Sequence, residues 1–137
     1  MTPEEMATLH AAAFHQSRPW IAVEFKNILA NPFSYIVGNK ECFAVYQVVS
    51  DEAELLTIAT HPDLQGRGLG KNLMTVWQTQ AHRLGATRAF LEVASDNRAA
   101  IALYDCCGYA PCGLRRGYYR RKSGGNMDAI VMERSLP

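Results

Sequence analysis

The sequence predicts a mixed α+β layer fold, a mostly antiparallel sheet flanked by helices, and three observations carry that reading. Extended apolar runs at 33–37, 42–49 and 54–60 are separated by Gly38-Asn39-Lys40 and Ser50-Asp51-Glu52, the turn chemistry of antiparallel hairpins. A glycine-rich stretch then opens a segment with helical apolar spacing. Beyond it come a strand, a helix and two closing strands, so helices interrupt the strands instead of forming a separate block.

The elements follow in order. Pro3, Glu4 and Glu5 ahead of Met6, Leu9 and Phe14 read as the start and inner face of a helix over 3–16. A second helix runs through Ile21, Phe25, Ile28 and Leu29 and stops before Asn31-Pro32. After the three extended runs, Leu69, Leu73, Met74, Trp77, Ala81 and Leu84 keep a helical period that ends at Gly85. Residues 87–94 read as a strand. Asp96 and Asn97 are good N-caps for a helix holding Ala99, Ala100, Ile101, Leu103 and Tyr104, which stops near Gly108. Two strands, over 110–120 and 127–135, turn across Ser123-Gly124-Gly125.

No repeat, low-complexity tract or linker divides the 137 residues, so 1–137 is expected to be one domain, 48% hydrophobic and able to bury a core. Fourteen basic against thirteen acidic residues give no bulk attraction to nucleic acid or membrane. No apolar run approaches the ~18 residues that span a bilayer. Acids rather than bases follow Met1, unlike a secretory signal, and a cytoplasmic monomer is expected. Cys42, Cys106, Cys107 and Cys112 contain no C-x-x-C pair, and His10, His15, His61 and His82 are scattered, so no metal is expected. Reduced thiols are the better account.

The stretch Gln65-Gly66-Arg67-Gly68-Leu69-Gly70-Lys71 says most about chemistry. Glycines delivered to a helix start bare a ring of backbone N–H groups. Roughly half a positive charge from the helix dipole backs them, which suits a phosphate or pyrophosphate. A dinucleotide fingerprint would need glycine where Lys71 stands. A Walker loop would need glycine at Gln65 and Ser or Thr at Asn72. Both fail. Gln65, Gly68 and Gly70 do fit a Gln-x-x-Gly-x-Gly pattern, which resembles the pyrophosphate loop of the GNAT superfamily, the acetyl-CoA-dependent N-acetyltransferases.

A second motif extends the resemblance. The run from Leu91 and Glu92 through Asn97 to Tyr104, with Gly108-Tyr109 and Arg115-Arg116-Gly117-Tyr118-Tyr119, is similar to the RimI-type N-terminal acetyltransferases of ribosomal proteins. So are 51–59 and Arg18-Pro19-Trp20, and the likeness covers roughly 18–134. The resemblance implies the GNAT fold, with a splayed pair of parallel strands forming the cofactor cleft. It departs at the front, where the superfamily places a strand before its first helix and this sequence opens on the helix. That first strand is therefore expected to be absent.

What the resemblance implies for acetyl-CoA is specific. The backbone of Ile58, Ala59 and Thr60 would pair with the pantetheine amides. Gln65, Gly66, Arg67, Gly68, Leu69, Gly70 and Lys71 would hold the pyrophosphate. Asn97 would contact the pantetheine arm, with Tyr104 close by. Glu92 matches the family's general base and Tyr104 its general acid. The acceptor would be a protein N-terminus, in this branch an alanine of a ribosomal protein.

The chemistry accommodates those residue types. An α-amine with a pKa near 8 is about one-tenth neutral at pH 7, a deficit of roughly 1.4 kcal/mol, against about 4.6 kcal/mol for a lysine near 10.4. A glutamate with an ordinary pKa near 4.3 is a weak base. Glu92 is thus expected either to be raised by apolar surroundings or to act through a water. Its bland alternative is a strand glutamate paired with a surface base. Tyr104's is a core tyrosine packing its helix on the sheet. A backbone N–H at a strand bulge, near Ile58 to Thr60, would stabilise the oxyanion.

Arg115, Arg116, Arg120, Arg121 and Lys122 surround Tyr118 and Tyr119. The resemblance puts the tyrosine pair and Arg115 in the acceptor groove. A solvated hairpin or an RNA-binding patch has the same composition, though direct nucleic-acid binding is not expected. The reading is an acetyl-CoA-dependent acetyltransferase of protein α-amines working by direct attack. Its rivals are the same transfer to a lysine or a small amine, and a non-catalytic acyl-CoA-binding module.

Overall fold

Thr2 caps the first helix because its hydroxyl accepts the Glu5 N–H at 3.1 Å while Glu5 Oε1 accepts the Thr2 N–H at 2.8 Å. The structure, a computed structural model, describes residues 1–14, 18–120 and 124–137. Helix α1 covers Pro3–Ala13 and α2 covers Ala22–Ala30. Strands β1 (Ser34–Asn39), β2 (Cys42–Val49) and β3 (Glu52–Thr60) precede α3 (Leu69–Arg83). Then come β4 (Arg88–Ala94), α4 (Arg98–Cys106), β5 (Ala110–Arg120) and β6 (Asn126–Ser135). The sequence-based order of elements is observed throughout. Helix α1 stops at Ala13, short of the predicted 16, and His15 and Gln16 lie outside the described residues.

The sheet runs β1-β2-β3-β4-β6-β5. Every pairing is antiparallel except β3 with β4, which is parallel. Helix α1 precedes the strands of these residues, and β1 is the edge strand beside β2. The turn after β1 differs from expectation. Gly38 belongs to the strand and pairs with Phe43, while Lys40 and Glu41 make the turn. Glycine is required there because at φ +102° a Cβ would lie 2.2 Å from the Cys42 carbonyl oxygen.

Two apolar clusters hold the sheet, one on each face. The larger holds Leu73, Met74, Trp77 and Ala81 of α3 and Tyr104 of α4 against Ala44, Tyr46, Ala53, Leu55, Ala89, Leu91, Val93 and Met132. Trp77, Met74 and Ala81 are fully buried, whereas Leu69 and Leu84, expected on the same stripe, are exposed because they lie beyond the turns that meet the sheet. The smaller cluster packs Met6 and Leu9 of α1 and Phe25 of α2 on Phe43, Val45 and Ala59.

His10 sits in that smaller cluster. Its ring is stacked 4.0 Å from Phe14 and 5.3 Å from Trp20, with Phe25 at its edge. Nδ1 accepts the Trp20 N–H at 3.0 Å, so Nε2 carries the proton and donates to Thr57 Oγ1 at 2.9 Å. Burial lowers its pKa to about 4, and Glu24 opposes that shift. Glu24 itself, held by Arg18 Nη1 and Nη2 at 2.6 and 3.0 Å, is depressed to about 2.

Candidate active site

Strands β3 and β4 pair at only three positions, Glu52 with Arg88, Ala53 with Ala89 and Glu54 with Phe90, and then diverge. Past that fork, the side of β3 turned away from β2 has no strand beside it over 55–60. The divergence begins next to a bulge. Val45 pairs with Thr57 but Tyr46 pairs with Leu55, so Leu56 is an extra residue that switches which side chains face which cluster. The bulge thus falls at Leu56, ahead of the expected Ile58 to Thr60, because register skips have no signature in an apolar run.

The glycine loop stands at the open end of the fork. Gly68 is the N-cap of α3 with φ +80°, and Gly66 has φ +78°. A Cβ on either would meet nothing within 4 Å, so open space lies over both. The helix ladder begins with Asn72 N–H to the Gly68 carbonyl at 3.0 Å, which leaves the amides of Leu69, Gly70 and Lys71 ahead of it at the helix start. Gln65 Nε2 donates to the Thr60 carbonyl at 3.1 Å and ties the loop to the end of β3. Gly70 faces inward, its Cβ position 3.5 Å from Leu103 of α4 and 3.9 Å from Thr60 Oγ1. Bare amides, open space and a helix dipole fit a pyrophosphate, and the unpaired flank at Ile58, Ala59 and Thr60 fits an extended amide chain.

Asn97 uses Oδ1 to cap α4, accepting the Ala100 N–H at 3.2 Å. Tyr104 is buried in the larger cluster, its ring 6.2 Å from Tyr109 in an edge contact. Burial first, then the nearby Tyr119 and Cys107, push its phenol well above the usual range.

On the opposite face, a groove of about 270 Å³ crosses the closed end of the fork, lined by Gln47, Val49, Glu52, Ala53, Glu54, Phe90, Leu91, Glu92 and Val131. Glu92 Oε1 accepts from Arg115 Nη1 at 2.7 Å, and the Arg115 guanidinium lies 4.3 Å over the Tyr118 ring. The surface-base pairing weighed for Glu92 is therefore present, and Arg115 is the partner. Burial, then the Glu92 charge, push Glu54 up, while Gln47 and Arg115 hold it down.

The structure thus joins the candidate residues into two groups. Glu92, Arg115 and Tyr118 share the groove face. Tyr104 lies in the larger cluster with α4, close enough for Tyr119 to bear on it, and the glycine loop leads into the helix α3 of that same cluster. Glu54 and Gln47 were not singled out from sequence. The available signal was the acid of Glu54 between Ala53 and Leu55, the alternation that also marks Glu92 between Leu91 and Val93. Of the basic run, Arg121 and Lys122 lie outside the described residues. Cys42 is buried, Cys107 is half-buried, and Cys106 and Cys112 are exposed, all as free thiols. Among the described residues no group of three His, Cys, Asp or Glu could hold a metal, and no helix is long and apolar enough to cross a membrane.

Comparison with known proteins follows this geometry. Residues 3–109 match the family described as Acetyltransferase (GNAT) family. The chain is 42% identical over 95 residues to the ribosomal protein bS18-alanine N-acetyltransferase of Escherichia coli (strain K12), a match covering 69% of this chain and 64% of that protein. It thus spans just under two thirds of that relative's length. It is 37% identical over 140 residues to the N-alpha-acetyltransferase RimI of Mycobacterium tuberculosis, covering 96% of this chain and 85% of that one. The crystal structure of the ribosomal-protein-S18-alanine N-acetyltransferase from Escherichia coli superimposes with a TM-score of 0.87 at 32% identity, covering 98% of this chain and 87% of the other. By its glycine loop, its forked sheet and the match over most of its length, the chain belongs to the acetyltransferase (GNAT) family.

Proposed function

We propose that the protein transfers an acetyl group from acetyl-CoA to the α-amine of a protein N-terminus, an alanine of a ribosomal protein, in the cytoplasm. The observation that carries this is the placement of Glu92 on the groove wall at the closed end of the fork, opposite the face on which the glycine loop enters α3. Relatives named for the same reaction support the choice of acceptor.

Acetyl-CoA supplies the activated acyl group. The amides at the start of α3 bind its pyrophosphate, and the free flank of β3 at Ile58, Ala59 and Thr60 orients its amide chain. Asn97 contributes from the cap of α4. On the groove face Glu92 takes the proton of the acceptor's ammonium at a carboxylate oxygen, directly or through a water. Tyr104 Oη, kept protonated by burial, donates to the leaving group. An α-amine needs only about 1.4 kcal/mol of deprotonation at pH 7, a demand one carboxylate can meet.

Mass spectrometry of an alanine-first peptide, a lysine peptide with a blocked N-terminus and small free amines, each incubated with acetyl-CoA, tests the acceptor class. Acetylation of the first alone is expected, and preference for either of the others overturns the assignment. Glu92→Gln is expected to lower kcat on the order of 10² fold at pH 7. The deficit should shrink toward pH 9, and coenzyme affinity should stay near the parent value. A Glu92→Gln deficit that is absent at pH 7, or that stays the same between pH 6 and pH 9, removes Glu92 as the base.

A further inference from the structure

Carboxylates outnumber guanidinium groups at the groove. Glu52, Glu54 and Glu92 line it, and Arg115 reaches Glu92 Oε1 from β5. Glu54 also feels both the Glu92 and the Arg115 charge, so one cation serves two neighbouring carboxylates. The ion pair is half open, with side chains 53% and 26% exposed for Arg115 and Glu92, and pairs of that kind are weak and readily exchanged. Arg115 has a second resting partner in the Tyr118 ring, 4.3 Å from its guanidinium carbon, so leaving Glu92 does not strip it of every contact.

We propose that Arg115 competes with the acceptor's ammonium group for Glu92 and so sets the affinity of the groove for cationic acceptors. The proposal rests on the reading of the groove as the acceptor site. The argument is one of charge and geometry. A carboxylate whose charge is already met by a guanidinium at 2.7 Å attracts a second cation less strongly. An incoming ammonium replaces one cation by another at the same carboxylate, a like-for-like exchange. An acetylated N-terminus carries no charge, has no claim on Glu92, and is indifferent to where Arg115 rests. Arg115 is therefore a specificity-determining residue acting on the charged acceptor alone, and it holds that affinity low enough for turnover.

The test is calorimetric and does not depend on catalysis. Protein saturated with coenzyme A is titrated with an alanine-first hexapeptide and with its N-acetylated counterpart, for the wild type, Arg115→Gln, Glu92→Gln and the double variant. Arg115→Gln is expected to tighten binding of the free-amine peptide by about 3- to 10-fold and to move the acetylated peptide by less than about 2-fold. In the Glu92→Gln background the same change should have no effect, because the negative charge competed for is gone. Free-amine binding that is unchanged or weaker in Arg115→Gln, or a gain that persists without Glu92, reduces Arg115 to a tie between β4 and β5. If the wild type binds neither peptide, the acceptor reading of the groove fails and the competition falls with it. If the wild type binds the free amine and the variant shows no gain, the competition alone fails.

Discussion

The two faces of the sheet are built on different physics. The face carrying α3 and α4 is held by a large apolar cluster around Trp77 and Met74, and its glycine loop consists of backbone with no side chains in the way. The face carrying α1 and α2 has a smaller cluster with a buried histidine at its centre, and its groove is lined by charges that come from β3, β4 and β5. One face offers amides that cannot titrate. The other offers side chains whose charges depend on each other. The first should therefore respond to shape and the second to charge and pH.

The largest expected effect tests the first half of that contrast. Gly68→Val places a β-branched side chain at φ +80°, where L residues are strained, and fills the open space above the loop. Calorimetry should show coenzyme binding weakened at least about 100-fold. Retained affinity would mean that the bare amides are not what binds the pyrophosphate.

A second effect belongs to the α1 and α2 face alone. His10 has a folded pKa of about 4 against an ordinary 6.5, so between those values the unfolded chain binds more protons than the folded one. Its contribution is complete above pH 6.5 and is lost as pH falls toward 4, amounting to roughly 2 kcal/mol between pH 7 and pH 5. The depressed Glu24 loses stability in the same direction, from the ordinary carboxylate range down to about 2. Denaturant melts at pH 7 and 5 check this. His10→Phe should flatten the upper part of the profile, and an equally steep profile in that variant would assign the acid sensitivity elsewhere.

The smallest effect sharpens the comparison where the faces cooperate. Tyr104→Phe keeps the ring in the larger cluster and removes only the hydroxyl. A fall in kcat of about tenfold, with coenzyme affinity near the parent value, is expected for loss of a proton donor. An unaltered kcat would return Tyr104 to pure packing between α4 and the sheet.

Most of the fold and one half of the site were legible in the sequence, and the reason is locality. Strand β2 over Cys42–Val49, helix α3 opening on the glycines, and the Asn97 cap of α4 all depend on residues within a turn or two of each other. The charged groove does not. Glu92 and Arg115 are 23 positions apart and meet only because β6 pairs with both β4 and β5 and holds them on its two sides in one particular register. His10 looked like one scattered histidine among four, since its partner Thr57 stands 47 residues away. The bulge at Leu56 depends on how β2 and β3 slide against each other. Glu54 was missed for a related reason, because period-2 alternation marks a face but not which strand turns away beside it.

The fork has a further consequence. An ordinary open sheet has two rims, here β1 and β5, where main-chain donors and acceptors face outward. By parting after three rungs, β3 and β4 create an inner pair of rims in the middle of the molecule. A rim is a template for any extended chain with matching amides, and a wedge admits a single narrow chain more readily than a second broad sheet. Whatever lies there becomes, for as long as it stays, a temporary strand of the protein that consumes it.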